Sequence, residues 1–120
     1  MTAQVELDPV IHAAARLRVT TTLAALGPGD SLAFTRLQGL LDMTAGNLST
    51  HLRKLEDAEY VLVTKGHQGR VPSTHVEATR LGRRAFEDYV AQLQELLRPP
   101  VVDEEPAHAL EPQTTTQGDT

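Results

Sequence analysis

Residues 44 to 55 read T-A-G-N-L-S-T-H-L-R-K-L, and this stretch decides the fold. Thr44 is a residue type favoured at the N-cap of a helix, and three leucines follow at i, i+4 and i+7, the spacing of one buried helical face. The opposite face carries amide, hydroxyl and cationic side chains, with no acidic residue before Glu56. The pattern predicts an amphipathic helix over residues 44 to 58 whose exposed face suits an anionic, hydrogen-bonding partner.

A second, shorter helix is predicted directly before this one. Residues 35 to 42 read T-R-L-Q-G-L-L-D and place their leucines on one side, and only Asp42 and Met43 separate them from Thr44. Two helices joined by so tight a turn form a helix-turn-helix. A polar outer face alone is typical of any surface helix, so the shorter helix strengthens the hypothesis of nucleic-acid recognition.

The first part of the chain predicts a further helix. Asp8 can cap it, and it would run to about Leu26, where Gly27-Pro28-Gly29 ends it. The helix is apolar on two sides, and one of its stripes contains Val19 and Leu23. A helix that is apolar on two sides has two partners, of which one is the domain's own core and the other could be a second subunit.

A β-hairpin follows the two central helices. Residues 60 to 65 and 71 to 78 alternate in the manner of strands, and residues 66 to 70 form a glycine-rich, basic turn between them. Residues 31 to 34 are too short for an independent strand but could pair at the edge of the same sheet.

The last predicted helix begins after Thr79 and ends near Leu97, before Pro99-Pro100. It carries a broad apolar stripe, and part of this stripe repeats at intervals of four, three and four, which is the heptad spacing of helices that pack against a partner helix. The residues of this seam are Phe86, Val90, Leu93 and Leu97.

Length and charge define the organisation of the chain. Its 120 residues predict one domain over residues 8 to 98, preceded by a loose lead-in at residues 1 to 7. The net charge is −5, but residues 1 to 98 contain 11 basic and 11 acidic side chains, whereas residues 99 to 120 contain five acidic ones and no basic one. The last segment is therefore predicted to be a disordered acidic tail. The absence of cysteine, of a membrane span and of a signal pattern leads us to expect a cytoplasmic protein without a membrane partner.

From Asp8 to Leu97 the sequence resembles small bacterial winged helix-turn-helix regulators related to the MarR and ArsR groups. The matching words are L-D-P-V-I-H at residues 7 to 12, A-R-L at residues 15 to 17 and T-A-G-N-L-S-T-H-L-R-K-L-E at residues 44 to 56. The resemblance implies a mainly α fold with a small β-hairpin, namely a winged helix-turn-helix with an N-terminal helix and a C-terminal dimerisation helix. It also implies a homodimer that binds double-stranded DNA and regulates transcription, usually as a repressor.

In such regulators the third helix enters the major groove and the hairpin wing approaches the minor groove or the phosphates. Carried over by position, the recognition-helix contacts would be Asn47, Ser49, Thr50, His51, Arg53 and Lys54. The wing contacts would be Lys65 and Arg70. The apolar patterns of the first and last helices give the predicted dimer interface, which consists of Val19, Leu23, Phe86, Val90, Leu93 and Leu97.

The sequence departs from the family pattern in three places. Asp42 and Glu59 stand where members usually have glycine after a helix end, so both are predicted to adopt the left-handed conformation. The second wing strand reads S-T-H-V at residues 73 to 76, where the family often has a basic residue, so we expect only weak phosphate clamping by the wing.

Other chemistry finds little support in the sequence. The five histidines form no close pair and thiolates are absent, so we expect no metal site and no cofactor. A nucleophile with its base, clustered carboxylates and a phosphate loop are all missing, so we expect no enzyme. His12 and Arg16 lie one turn apart on the predicted first helix and could meet a small-molecule effector at a dimer cleft. The alternative function is a winged helix that binds protein partners without specific DNA binding.

Overall fold

The helices and strands follow one another in the predicted order. The computed structural model describes residues 6 to 101, so nearly all of the predicted lead-in and tail lies outside the described residues. The elements are α1 (Ala14–Ala24), β1 (Leu32–Ala33), α2 (Phe34–Leu41), α3 (Ala45–Asp57), β2 (Val61–Gln68), β3 (Val71–Ala78) and α4 (Arg80–Leu97). None of these helices is both long and apolar enough to cross a bilayer.

The three strands form one antiparallel sheet in the order β1-β3-β2. In the hairpin, Val61 lies opposite Ala78 at the base and Gln68 lies opposite Val71 at the tip. Strand β1 adds to the other side of β3, where Leu32 lies opposite Val76. The predicted pairing of the short segment at a sheet edge is therefore confirmed.

The core lies where α1, α2 and α3 pack together over the base of the sheet. All three leucines predicted on the inner face of α3 are buried, as are Leu37 and Leu41 of α2 and the first residue of β2. The prediction was wrong for Leu40, which is 52% exposed. The buried cluster consists of Val19, Leu23, Leu37, Leu41, Leu48, Leu52, Leu55, Val61, Val76 and Ala78. Burial of these aliphatic side chains fixes α3 by its inner face and leaves its outer face free.

Both predicted left-handed residues are confirmed. Asp42 has a φ of 54° after α2, and Glu59 has a φ of 65° after α3. At the second site the Tyr60 amide donates to the Leu55 carbonyl at 2.9 Å, which is the six-to-one hydrogen bond of a Schellman motif. The chain changes direction at Asp42 and Glu59 without glycine. Both residues therefore hold a backbone conformation that is energetically unfavourable for a residue with a Cβ.

The first helix begins later than predicted. Asp8 caps only a single turn, in which its Oδ1 accepts from the Val10 amide at 2.8 Å and its carbonyl accepts from the His12 amide at 2.7 Å. Ala13 is then extended, with φ of −124° and ψ of 131°, and α1 starts at Ala14. The prediction that the helix starts at Asp8 was therefore wrong, because a capped turn and a capped helix begin with the same sequence signal. His12 lies outside the helix that contains Arg16.

The first wing strand extends further than predicted, whereas the second has the predicted bounds. Strand β2 continues through Gln68, so the predicted turn over residues 66 to 70 shortens to Gly69 and Arg70. Gly69 has a φ of 63°, as glycine does at the first central position of a type II′ hairpin turn. Ladder pairing with β3 has drawn Gly66 into the strand despite its low β-propensity.

One part of the predicted dimer interface is corrected. Val19 and Leu23 have no exposed surface in a single chain, because the stripe of α1 that carries them faces the core. They can present nothing to a second subunit. The residues on α4 differ, since Phe86, Val90 and Leu93 are only half-buried and Leu97 is 71% exposed.

Candidate nucleic-acid interface

The outer face of α3 presents polar side chains from a well-capped helix. The Thr44 hydroxyl accepts from the Asn47 amide at 3.1 Å, as predicted for the cap. The exposed predicted contacts are Asn47, Ser49, Thr50, Arg53 and Lys54. The face contains amide, hydroxyl and cationic groups, which are the groups that read base edges and phosphates in the major groove.

Thr50 has a defined hydrogen-bonding role on this face. Its hydroxyl donates to the Gly46 carbonyl one turn back at 3.0 Å. Because a hydroxyl has one proton and two lone pairs, the outward side of Thr50 then acts as an acceptor. Adenine N6 and cytosine N4 are the donors that the major groove offers to such an acceptor.

His51 differs from the other predicted contacts. It is half-buried and turned toward α1, where its Nδ1 lies 3.5 Å from Nη1 of Arg16. The sequence placed His51 at the margin of the outer face, and the structure places it at the boundary between α3 and α1. Its hydrogen-bond partner comes from outside the recognition helix.

A groove of about 360 Å³ separates α3 from the wing. Ser49 and Arg53 line it from α3, and Lys65 lines it from β2. The structure thus brings one predicted wing contact close to two predicted helix contacts. Glu56 also lines this groove and reduces its positive charge.

Arg70 lies apart from these residues at the tip of the wing, where it is exposed. Lys65 lies three residues before the end of β2 at Gln68, which corresponds to about 10 Å at the rise of a strand. The opposing strand adds no lysine or arginine between them. The positive charge of the wing is therefore divided between the middle of β2 and the tip of the hairpin.

Comparisons with known proteins identify the fold family. A family profile described as a winged helix DNA-binding domain matches residues 15–97. The chain belongs to this family. An uncharacterised protein from Methanocaldococcus jannaschii is 32% identical to this winged helix chain over 88 residues, which cover 72% of this chain and 91% of that protein.

Solved structures share the winged helix fold, and one of them is described as a transcriptional regulator homologue. A transcriptional regulator homologue from Pyrococcus horikoshii OT3 has a TM-score of 0.67 and 28% identity, over 73% of this chain and 84% of that one. NadR in complex with 4-hydroxyphenylacetate has a TM-score of 0.58 and 22% identity, over 73% of this chain and 62% of that one. The predicted resemblance to small winged helix regulators is confirmed.

The winged helix does not bring His12 and Arg16 together as an effector pair. The Nδ1 of His12 lies 2.8 Å from the Tyr89 hydroxyl of α4, and the Arg16 Nε donates to the Val10 carbonyl at 2.6 Å. Sequence reasoning therefore missed the position of Arg16 beside the recognition helix. Helical periodicity shows which face of α1 is buried but not which residue of α3 a side chain at its edge will meet.

Proposed function

We propose that this protein is a sequence-specific transcriptional regulator that binds double-stranded DNA through α3, with the hairpin over residues 60 to 78 as its wing. The observation that carries the proposal is the outer face of α3, which is capped, exposed and free of acidic side chains from Thr44 to Leu55. A buried leucine face holds this surface rigidly, as base readout requires.

The proposed assembly is a homodimer that acts as a repressor on an inverted repeat. The support comes from α4, where Leu97 of the heptad seam is 71% exposed and the neighbouring Leu96 is 54% exposed. A twofold axis through such a seam would place two recognition helices about one turn of DNA apart, and a symmetric protein matches a symmetric operator. A dimer bound across a promoter would block access to it, which is the basis for proposing repression.

A small-molecule effector belongs to the same proposal, since one structure with this fold was solved with 4-hydroxyphenylacetate. The candidate place in this chain is a groove of about 510 Å³ between residues 6 to 9 and α4. Arg84 and Asp88 line it from the helix, and Asp8 lines it from the opposite side. Both signs of charge are present, so an effector carrying a carboxylate would meet a cation at Arg84.

Base reading is tested by comparing a cognate duplex from the upstream region with a random duplex. Thr50→Ala should lower the preference for the cognate duplex by roughly 1 to 3 kcal/mol if a base contact is lost, whereas Arg70→Ala should weaken both duplexes alike. Fluorescence anisotropy titrations measure both quantities. Thr22→Ala is the matched control, because Thr22 makes the same hydrogen bond to the carbonyl four residues back, at 2.9 Å, on α1.

The outcome also separates the regulator from the alternative of a protein-binding winged helix. Equal losses on both duplexes for every α3 substitution would remove the claim that this helix reads bases. A chain that shows no salt-sensitive DNA binding but purifies with a protein partner would support the alternative instead.

A further inference from the structure

Arg16 occupies an unusual position for a cation on α1. Its Nε donates to the Val10 carbonyl at 2.6 Å, and its Nη1 lies 3.5 Å from Nδ1 of His51 on the recognition helix. The side chain is half-buried and is held from two sides. A long, flexible side chain that is fixed in this way has already lost the rotamer freedom that binding a ligand would otherwise remove.

No carboxylate neutralises this guanidinium within the described part of the chain. The only ion pair between residues 6 and 101 joins Arg98 to Glu95. A guanidinium carries five N–H groups and no acceptor, and the contacts to Val10 and His51 use two of them. The remaining donors are available to an anion, and planar donor pairs of this kind match phosphate oxygens.

The contact also fixes the role of His51. Because a guanidinium only donates, a hydrogen bond across this 3.5 Å contact uses the lone pair of Nδ1 on His51. In that tautomer Nε2 carries the N–H, on the side of the ring away from Arg16. The histidine is a donor supplied by α3 beside a cation supplied by α1.

A third group lies in the same region. Arg16 and Lys54 line one groove of about 300 Å³, together with Pro9, Val10 and Asp57. Asp57 is the one acidic side chain of this groove, so the two cations leave a net positive charge there. By helical periodicity, His51 and Lys54 lie on the side of α3 that is roughly opposite to the wing groove, which contains Ser49 and Arg53.

We propose that Arg16, His51 and Lys54 form a phosphodiester-binding site that contacts the DNA backbone on the side of α3 opposite to the wing. This inference rests on the proposed DNA-binding function and extends it to a residue outside both the recognition helix and the wing. A helix in the major groove has a phosphate backbone on each side. The wing supplies cations on one side, and this site supplies them on the other.

The salt dependence of binding to a random duplex tests the site. Arg16→Gln should reduce the slope of log Kobs against log salt concentration by about 0.9, the value expected for the loss of one phosphate contact. Arg16→Lys keeps the charge and should keep most of the slope. The matched control is Arg18→Gln, since Arg18 is an exposed arginine of the same helix and should leave the slope unchanged.

A purely structural role for Arg16 gives a different result. In that case lysine would be as harmful as glutamine, because neither can bridge Val10 and His51, and the slope would stay at its original value while affinity fell. That result would overturn the proposal. If Arg16→Gln does not fold, the proposal can be tested on the unmodified chain by following the ¹⁵N NMR resonance of the Arg16 Nε–H group. This resonance should shift when duplex is added at low salt and return at high salt, and a resonance that does not move would also overturn the proposal.

Failure of the proposed function can be told apart from failure of the site. Random duplex reports phosphate contacts only, so an unmodified chain that binds random and cognate DNA equally would contradict the regulator and leave the slope test intact. An unmodified chain without salt-dependent DNA binding would overturn both.

Discussion

Glu59 lowers the stability of the folded chain through its backbone conformation. With a φ of 65° it holds a conformation that favours glycine, at a cost on the order of 1 kcal/mol. We expect Glu59→Gly to raise the melting temperature by a few degrees, since this gain exceeds the added entropy of the unfolded chain. Thermal unfolding followed by circular dichroism measures the change.

Asp42 provides the matched comparison, because it has a similar φ of 54° but a side chain that tolerates this conformation better. Asp42→Gly should therefore give a smaller gain than Glu59→Gly. Glu56→Gly, inside α3, should instead lower the melting temperature. A loss of stability in Glu59→Gly would contradict the strain argument.

Tyr60 makes the stability of the folded chain depend on pH in the alkaline range. Its hydroxyl donates to Oδ2 of Asp8 at 2.5 Å. This hydrogen bond, together with burial and the negative charge of Asp8, raises the pKa of Tyr60 from 10.0 to about 12. The folded state therefore holds the proton at a pH where the unfolded chain has lost it. The resulting contribution to stability is complete below the pKa of about 10 for an unfolded tyrosine and is lost as the pH rises toward 12.

Urea unfolding at pH 9 and near pH 11.5 tests this dependence. The free energy of unfolding of the unmodified chain should fall more steeply between the two values than that of Tyr60→Phe, which has no proton to lose at this position. Parallel declines in the two proteins would show that the hydrogen bond to Asp8 makes no pH-dependent contribution.

At the level of single residues, the sequence predicted what depends on local backbone chemistry. The N-caps at Thr44 and Thr79 and the left-handed Asp42 and Glu59 are all properties of a few adjacent residues. The position of His51 could not be predicted in this way. Its partner lies 35 residues earlier on another helix, so its environment depends on how the two helices pack.

Among the elements, α4 docks onto the start of the wing through Gly82. An added Cβ at this position would overlap the Tyr60 carbonyl oxygen and lie 2.9 Å from the Tyr60 Cα, which is backbone and cannot move aside easily. Gly82→Ala should therefore destabilise the fold by about 1 to 3 kcal/mol or more. Chemical denaturation measures the loss.

Gly39→Ala is the control, and it should change the free energy of unfolding in the opposite direction. Gly39 lies within α2, and nothing stands within 4 Å of its added Cβ. Alanine should therefore stabilise this helix by roughly 0.5 to 1 kcal/mol. If the two substitutions had similar effects, the close approach at Gly82 would not be limiting.

The boundaries of elements were less predictable than their order. Asp8 carries a good cap signal, yet the turn that it starts ends at Ala13, because Val10 and His12 make contacts to α1 and α4 that a continuous helix would not allow. Gly66 carries a turn signal, yet pairing with Ser73 keeps it in β2. In both cases a contact with a residue outside the local stretch decided where the local pattern stopped.

For the whole molecule, the proposed dimer depends on the apolar seam of α4. Leu93→Glu places a charge in this seam and should give monomers that also lose cognate DNA binding, because a monomer carries only one recognition helix. Sedimentation velocity and anisotropy titrations measure the two effects. Gln94→Glu adds the same charge at the neighbouring exposed position and should change neither. A monomeric unmodified chain at tens of micromolar would contradict the proposed assembly.

The outer half of the hairpin has a consequence for the operator proposed above. From Thr64 to Val71 every side chain is exposed, so the tip is a bare two-stranded ribbon without support from the core. Such a ribbon is at most marginally stable by itself in water, so it bends easily. A stiff wing would fit a minor groove of one width and would disfavour DNA sequences whose groove is wider or narrower. A flexible wing adapts to minor grooves of different width. We therefore expect the base pairs beneath α3 to be strictly specified and the flanking base pairs beneath the wing to vary freely.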